Sequence, residues 1–255
     1  MVPNEDPLVL SRHAPCVPED TVVYAVGDIH GCAHLLDRMH DEILRDAENV
    51  RCDRRVAVYL GDYVDRGPDS RGVVDRLLDT PLDGFETHFL MGNHEEFLLD
   101  FLEDVEAGPG WLFNGGHATL MSYGVDLGSG LELDRGSLER IQQAFLDKLS
   151  DEHLAFYRDL EFSHVEGDYF FVHAGVRPGV ELQNQADEDM LWIRDEFLNA
   201  DDDFGKIVVH GHTITWEPEF RHNRIGIDTG AFTSGVLTAL ALEGHEQEVV
   251  CVSEY

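Results

Sequence analysis

The chain has 255 residues, a length that suits one large α/β domain, and its 43% hydrophobic content is enough to bury a sizeable core. Fifty-one acidic residues against 18 basic ones give a net charge of −33, a surface that repels nucleic acid and anionic membranes. No apolar run reaches the ~18 residues of a membrane span, and the four cysteines are scattered without a C-x-x-C pair, as expected of reduced thiols in a cytoplasmic protein. The start, Met1 to Asp6, lacks the basic-then-apolar pattern of a secretory signal. Acidic residues are spread along the whole chain, which fits solubility or a salty cytoplasm better than selection of basic peptides.

Residues 1–20 contain prolines and show no periodicity, so an extended arm is expected. Thr21 to Val26 reads as a buried strand that stops at Gly27. The spacing of Leu35, Leu36, Met39, Ile43 and Leu44 predicts a helix over 33–48. Arg55 to Leu60 is a second strand stopping at Gly61, and Ser70 caps a helix carrying Val73, Val74, Leu77 and Leu78. Phe85 to Met91 is a third strand, also stopping at a glycine. The β–α–β–α–β order predicts parallel strands with right-handed crossovers. It brings the three strand-end loops to one sheet edge, where open α/β sheets bind ligands.

Residues 95–160 break this alternation. Helical patterns at 95–106 and 137–159 flank the glycine-rich stretch 108–116, and a helical cap over the site is expected there. A hairpin follows, Leu160 to Val165 and Tyr169 to Val172, turning at Glu166-Gly167-Asp168. Then come a helical pattern at 187–199 and strands at 206–209, 224–228, 235–242 and 247–252. A parallel half followed by a strand-rich half suggests two packed sheets with outer helices, in a single domain spanning 1–255.

Five segments carry the chemistry: Gly27-Asp28-Ile29-His30-Gly31, Gly61-Asp62-Tyr63-Val64-Asp65-Arg66-Gly67, Gly92-Asn93-His94-Glu95, His173-Ala174-Gly175 and His210-Gly211-His212-Thr213. Each sets Asp, Asn or His beside glycine, and most follow an apolar run. Asp28 and His30, two apart in an extended loop, can ligate one cation. The two oxygens of Asp62 can bridge two. Asn93 offers a neutral carbonyl oxygen, and His173 and one of His210 and His212 offer imidazoles. Each has an ordinary alternative, as turn residue or core histidine. Their joint occurrence at successive strand ends is specific. Hard oxygen ligands mixed with imidazole suit Mn²⁺, Fe or Zn²⁺.

This set resembles the calcineurin-like metallophosphoesterases, and among them the bacterial and phage-type phosphoprotein phosphatases, from about Val22 to about Ala231. The resemblance implies a four-layer α-β-β-α sandwich of two mixed sheets with a helical cap insertion. It implies two divalent ions, Mn²⁺ first and Fe or Zn²⁺ as alternatives. It assigns Asp28, His30 and His212 to one ion, Asn93 and His173 to the other, and Asp62 to both. It makes His94 the general acid, oriented by Asp65, and Arg66 and Arg194 the phosphate clamps. The implied reaction is direct attack of a metal-bridging hydroxide on a phosphoprotein. Asp65 before Arg66 and Glu95 after His94 favour that substrate over diadenosine tetraphosphate, whose symmetrical hydrolases are the alternative. Asp228-Thr229-Gly230 resembles a segment of bacterial and phage members and gives Asp228 an anchoring role. Trp111, Asn114 and His117 are candidates for lining the substrate entrance.

Overall fold

The computed structural model describes residues 14–79, 82–128 and 133–254, so residues 1–13 of the expected arm lie outside the described residues. In chain order the first half runs β1 (Thr21–Val26), α1 (Ala33–Ala47), β2 (Arg54–Tyr59), α2 (Ser70–Asp79), β3 (Glu86–Phe89) and α3 (Asn93–Glu103). The cap follows as α4 (Gly108–Trp111), a π-turn at Leu112–Gly116, α5 (His117–Ser122), α6 (Arg135–Leu146) and α7 (Asp151–Arg158). The second half comprises β4 (Ser163–Glu166), β5 (Tyr169–Val172), α8 (Asp187–Trp192), α9 (Asp195–Leu198), β6 (Ile207–His210), β7 (Glu219–Phe220), β8 (Arg224–Gly226), α10 (Ala231–Ser234), β9 (Val236–Glu243) and β10 (Glu246–Ser253).

The strands form two five-stranded sheets, ordered β10-β9-β1-β2-β3 and β4-β5-β6-β8-β7. β1, β2 and β3 are parallel, as the alternation of strand and helix predicts, and β5, β6 and β8 are parallel in the other sheet. The last hairpin, β9 with β10, returns to the first sheet, where β9 lies antiparallel to β1. Both sheets are therefore mixed.

Side-chain alternation along each strand sorts the layers. Val23 and Ala25 of β1, Val56 and Val58 of β2, and Leu240 and Leu242 of β9 face Tyr169, Phe171, Val209 and Ile225 of the opposite sheet. The other face of β1, with Val22, Tyr24 and Val26, packs under Leu35, Leu36, Met39 and Ile43 of α1 and Val73, Val74 and Leu77 of α2. In the second sheet Phe170, Val172 and Val208 face Met190, Ile193 and Phe197. The order is helix, sheet, sheet, helix. β1 is buried along its whole length, which explains why its sequence is continuously apolar.

Two expected helices are interrupted. The pattern over 137–159 divides into α6 and α7, with Ser150 capping the second through His153 N. The pattern over 187–199 breaks at Ile193 and Arg194, where Arg194 has φ −132° and ψ −98°. That break lets the Arg194 side chain leave the helix surface and reach the turn after β6.

The two sheets are joined at their edges. Leu90, just past β3, bridges Glu161, and Glu161 N donates to Phe89 O at 2.9 Å. Arg54 at the start of β2 donates to both oxygens of Glu166 at 2.7 Å and to Glu86 of β3 at 2.9 Å. Burial alone would raise the Glu166 pKa, but the Arg54 fork and His164 outweigh it and the net shift is downward from 4.5. A carboxyl lowered on folding adds stability above its unfolded value, and that stability is lost as pH falls through the lower folded value. Glu166→Gln should therefore destabilise by about 1–2 kcal/mol at pH 7, the outer half of the pair being screened by solvent. The difference from wild type should fade as pH falls through that lowered folded value. Urea unfolding at pH 7 and pH 3 measures both.

Candidate metal centre

The five chemistry-bearing segments sit at the carboxyl ends of β1, β2, β3, β5 and β6, on one rim of the sandwich. Among the described residues six non-glycine positions have left-handed φ, and five of them are His30, Asp62, Asp65, Arg66 and His212. Such backbone is unfavourable for residues with a Cβ and persists where surrounding contacts over-determine it. Here it turns consecutive side chains into one pocket. Glycine fills close approaches to two of the acids. A Cβ on Gly92 would lie 2.2 Å from Asp62 Oδ1, and one on Gly211 2.0 Å from Asp28 Oδ1.

Asp62 lies between two groups of ligand atoms. On one side its Oδ2 is 3.3 Å from His30 Nε2. On the other its Oδ1 is 3.5 Å from His173 Nε2. His173 Nε2 is in turn 3.0 Å from Asn93 Oδ1 and 3.2 Å from His212 Nδ1, and His212 Nδ1 is 2.8 Å from Asn93 Oδ1. His212 therefore groups with Asn93, His173 and Asp62, and not with Asp28 and His30 as the resemblance had assigned it. The cause is a backbone tether. Gly211 N donates to His173 O at 2.8 Å, pinning the turn after β6 against the end of β5, so the His212 ring falls beside His173. Only the His212 backbone N–H reaches Asp28, at 3.1 Å. His210 is buried on the other side of its strand, edge-on to the Phe197 ring at 5.0 Å, and does not enter the pocket.

The donor chemistry of this pocket fits divalent cations. His30 Nδ1 and His173 Nδ1 each lie 2.8 Å from a backbone carbonyl, Val64 O and Leu60 O, which fixes Nδ1 as the protonated atom and leaves Nε2 as a lone pair facing inward. Burial, and then His173, push His212 down to about 2, and burial lowers His173 too, so both rings are neutral ligands. The carboxylates are crowded. Burial, then the charges of Asp228 and Asp62, push Asp28 well above the usual carboxylate range. Burial also raises Asp228, whose Oδ1 accepts from Gly230 N at 2.8 Å. Acids buried this close require positive charge beside them. Divalent cations held by Asp28, His30 and Asp62, and by Asp62, Asn93, His173 and His212, would supply it.

His94 adjoins the first of these groups, its Nε2 3.9 Å from Asp62 Oδ2 and its ring 4.7 Å from that of His30. Its Nδ1 is 2.7 Å from Asp65 Oδ2, and its buried Nε2 has no hydrogen-bond partner. Burial disfavours its charge, but Asp62 and Asp65 outweigh that and the net shift is upward. Asp65 also accepts from Trp111 Nε1 at 2.9 Å and Thr119 Oγ1 at 2.6 Å. Trp111 is thus fully buried behind the site and does not line the entrance. Asn114 bonds back to Gly110 O within the cap, and His117 is exposed. Arg66 Nη1 lies 3.1 Å from His30 Nε2, with its guanidinium over the Phe232 ring at 5.0 Å. Arg194 donates to His212 O at 3.3 Å and Thr213 Oγ1 at 3.1 Å.

One buried acid was not read as part of the site. Glu95 accepts from Asp62 N, Tyr63 N, Val64 N and Gly92 N at 2.8–3.2 Å. It shapes the Asp62 loop and joins it to the start of α3. Its position next to His94 and three residues after Gly92 is the local sequence signal for this, since the other three donors are about thirty residues away.

The calcineurin-like phosphoesterase model matches residues 21–229. The chain belongs to the calcineurin-like phosphoesterase family. Members of this family use a binuclear divalent metal centre, and the groupings around Asp62 provide candidate ligands for one. A bis(5'-nucleosyl)-tetraphosphatase PrpE (asymmetrical) of Bacillus thuringiensis is 24% identical over 246 residues, covering 89% of this chain and 92% of the relative. The protein of the same name from Anoxybacillus flavithermus matches to the same extent. Among solved structures, a provisionally described diadenosine tetraphosphatase is 22% identical with a TM-score of 0.55 over 95% of this chain and all of its own. A cold-active protein-tyrosine phosphatase of a Shewanella species gives 0.53 at 17% identity, covering 92% and 83%. A protein serine/threonine phosphatase of Saccharomyces cerevisiae gives 0.52 at 12%, covering 92% and 81%. At these identities the structures speak for the calcineurin-like fold alone.

If Asp62 bridges two ions in this phosphoesterase, Asp62→Asn should weaken metal retention at least ~10–100-fold and abolish turnover. Elemental analysis after dialysis checks it. Two tightly held metals in an active variant would remove Asp62 from the bridging role.

Proposed function

We propose that this chain is a metal-dependent phosphomonoesterase acting on phosphoserine or phosphothreonine, and in some settings phosphotyrosine, in proteins or peptides in the cytoplasm. The observation that carries the reading is the His94–Asp65 pair beside Asp62. A buried imidazole with Nδ1 held by a carboxylate and Nε2 left unpartnered is arranged to give a proton to a leaving oxygen. Two bound divalent ions, Mn²⁺ preferred and Fe or Zn²⁺ as alternatives, would add Lewis-acid charge for the phosphoryl oxygens and acidify water. Arg66 and Arg194, from opposite sheets, offer planar forks for the remaining phosphate oxygens. Asp65 accepts the His94 Nδ1 proton and stabilises the imidazolium, which carries the transferable proton on Nε2, and Trp111 and Thr119 keep Asp65 in place.

The surroundings of Arg194 support a single phosphoryl group on an uncharged or basic carrier. A cleft of about 380 Å³ beside it is lined by Trp192 and by Glu188, Asp189, Asp195 and Glu196. Its other arginine, Arg177, is paired with Asp189. A chain of four phosphates would meet this acidic wall and the overall charge of −33. The second reading is dinucleoside polyphosphate hydrolysis. The PrpE relatives favour it by name, in its asymmetrical form, whereas the motifs had suggested symmetrical cleavage as the alternative.

Two measurements test the proposal. His94→Ala should keep its metals yet lose ~10²–10⁴ in rate on alkyl phosphates, and less on aryl phosphates, whose leaving groups need less protonation. An equal loss on both would count against the acid role. A panel of phosphopeptides beside diadenosine tetraphosphate should give higher kcat/KM for a phosphopeptide, with the gap narrowing as salt screens the surface. Faster hydrolysis of the tetraphosphate than of any phosphopeptide would establish the second reading instead.

A further inference from the structure

A second cluster of ligand atoms lies at the edge seam of the sandwich, on residues that the catalytic reading does not use. His88 of β3, His164 of β4 and Glu161 between them bring one ligand atom each within 4.8 Å of one another. Their backbones are fixed. Glu161 N donates to Phe89 O at 2.9 Å, Met91 N donates to Glu161 O at 2.7 Å, and His164 lies in the β4–β5 ladder. The two imidazoles stack with centroids 3.5 Å apart and planes 26° apart. Both rings are largely shielded, with side-chain exposures of 16% for His88 and 13% for His164, while the Glu161 carboxylate is 47% exposed and opens the cluster to solvent.

The outer nitrogens are occupied by carboxylates. His88 Nε2 is 3.1 Å from Glu86 Oε1, and His164 Nε2 is 3.0 Å from Glu166 Oε1. A metal-ligating histidine characteristically gives its other ring N–H to a carboxylate, which fixes the tautomer and raises the basicity of the ligating nitrogen. With those protons placed outward, one nitrogen per ring remains for a cation. On His88 it is Nδ1, 3.2 Å from Glu161 Oε1. Two neutral imidazoles and one carboxylate leave a fourth position to water, the donor set that suits Zn²⁺ and not Mg²⁺ or Ca²⁺.

We propose that His88, Glu161 and His164 form a structural Zn²⁺ site that staples β3 of one sheet to β4 of the other. Binding turns one ring out of the stack so that both lone pairs converge on the ion. Burial lowers the His164 pKa, so that ring is neutral at pH 7 and loses no proton on binding. The site is separate from the candidate catalytic centre, and its occupancy does not depend on the substrate assigned to that centre.

The test compares full-length wild type with the His88→Gln/His164→Gln variant. Both are loaded with Mn²⁺ and dialysed against low-micromolar Zn²⁺, so exchange at the catalytic centre is common to the two. Elemental analysis should find one more zinc per chain in wild type. At Zn²⁺ a hundredfold above Kd, wild type should gain about 5–10 °C more in Tm than the variant. Turnover by the variant with Mn²⁺ alone should match wild type. Equal zinc content and equal Tm shifts would overturn the proposal. Should the double variant not fold, Glu161→Gln, at the most exposed position, replaces it. Zinc at the seam should then bind at least tenfold more weakly, and an unchanged zinc count and midpoint would likewise overturn the site.

Discussion

Burying five carboxylates at one end of two sheets is the constraint on which the rest of this structure depends. Asp28, Asp62, Asp65, Glu95 and Asp228 are all buried there. An unpaired buried carboxylate is among the most unfavourable groups a fold can contain. The five are satisfied unequally, and the inequality is informative. Asp65 is surrounded by His94, Trp111, Thr119 and Ser70 through its side chain and backbone. Glu95 accepts four backbone N–H groups. Asp28 has the His212 N–H, and Asp62 has the His94 N–H and the edges of three imidazoles. A carboxylate has about four acceptor positions. The saturated acids shape loops, whereas the unsaturated ones retain lone pairs for cations. Asp228, which among the described residues accepts only the Gly230 N–H, falls with the unsaturated acids although it was read as an anchor.

The sandwich supplies the rigidity that such a pocket needs. Its inner core of Val, Ala and Leu from the first sheet against Tyr169, Phe171, Val209 and Ile225 of the second holds both rims in register. Asp62 and His173 come from different sheets, yet approach to 3.5 Å. A sliding of one sheet by a single residue would separate them by about 3.3 Å. Strained backbone at His30, Asp62, Asp65, Arg66 and His212 is tolerable because each turn is tied to another strand's end. His30 N donates to Asp62 O, and Gly31 N donates to Tyr63 O. The ligand loops hold one another, and none could keep its geometry alone.

Much of this was legible in the sequence, for an identifiable reason. Strands β1 and β5, and β2 from Val56 onward, are buried on both faces, so they read as apolar runs that lead into the ligand loops. Asp28, His30, Asp62, Asn93, His173 and His212 were therefore visible as a set. Their partition was not. It depends on the 2.8 Å hydrogen bond from Gly211 to His173, which joins positions 38 residues apart and leaves no local pattern. Trp111 and Thr119 were hidden for the same reason, since they meet Asp65 only through the packing of the cap. The break at Ile193–Arg194 falls inside a segment whose apolar spacing continues across it, so periodicity gave one helix where the backbone makes two. Glu95 could have been suspected, because a glutamate beside His94 at a helix start must either face solvent or satisfy a loop.

The two arginines show how recognition is joined to this framework. Among the described residues neither is held by an ordinary surface ion pair. Arg66 stacks on Phe232 and donates to His30, while Arg194 donates to the carbonyl of His212 and the hydroxyl of Thr213. Each guanidinium is therefore positioned by a turn that also carries a candidate ligand histidine, one in each sheet. Under the proposed function these two charges, in a chain with so few cations, would do most to offset the repulsion that a phosphate meets at the pocket. Because they rest on the candidate ligand turns, any displacement of those turns moves both guanidiniums with them. Metal ligation and phosphate recognition would then form one mechanical unit, with the strained turns common to both.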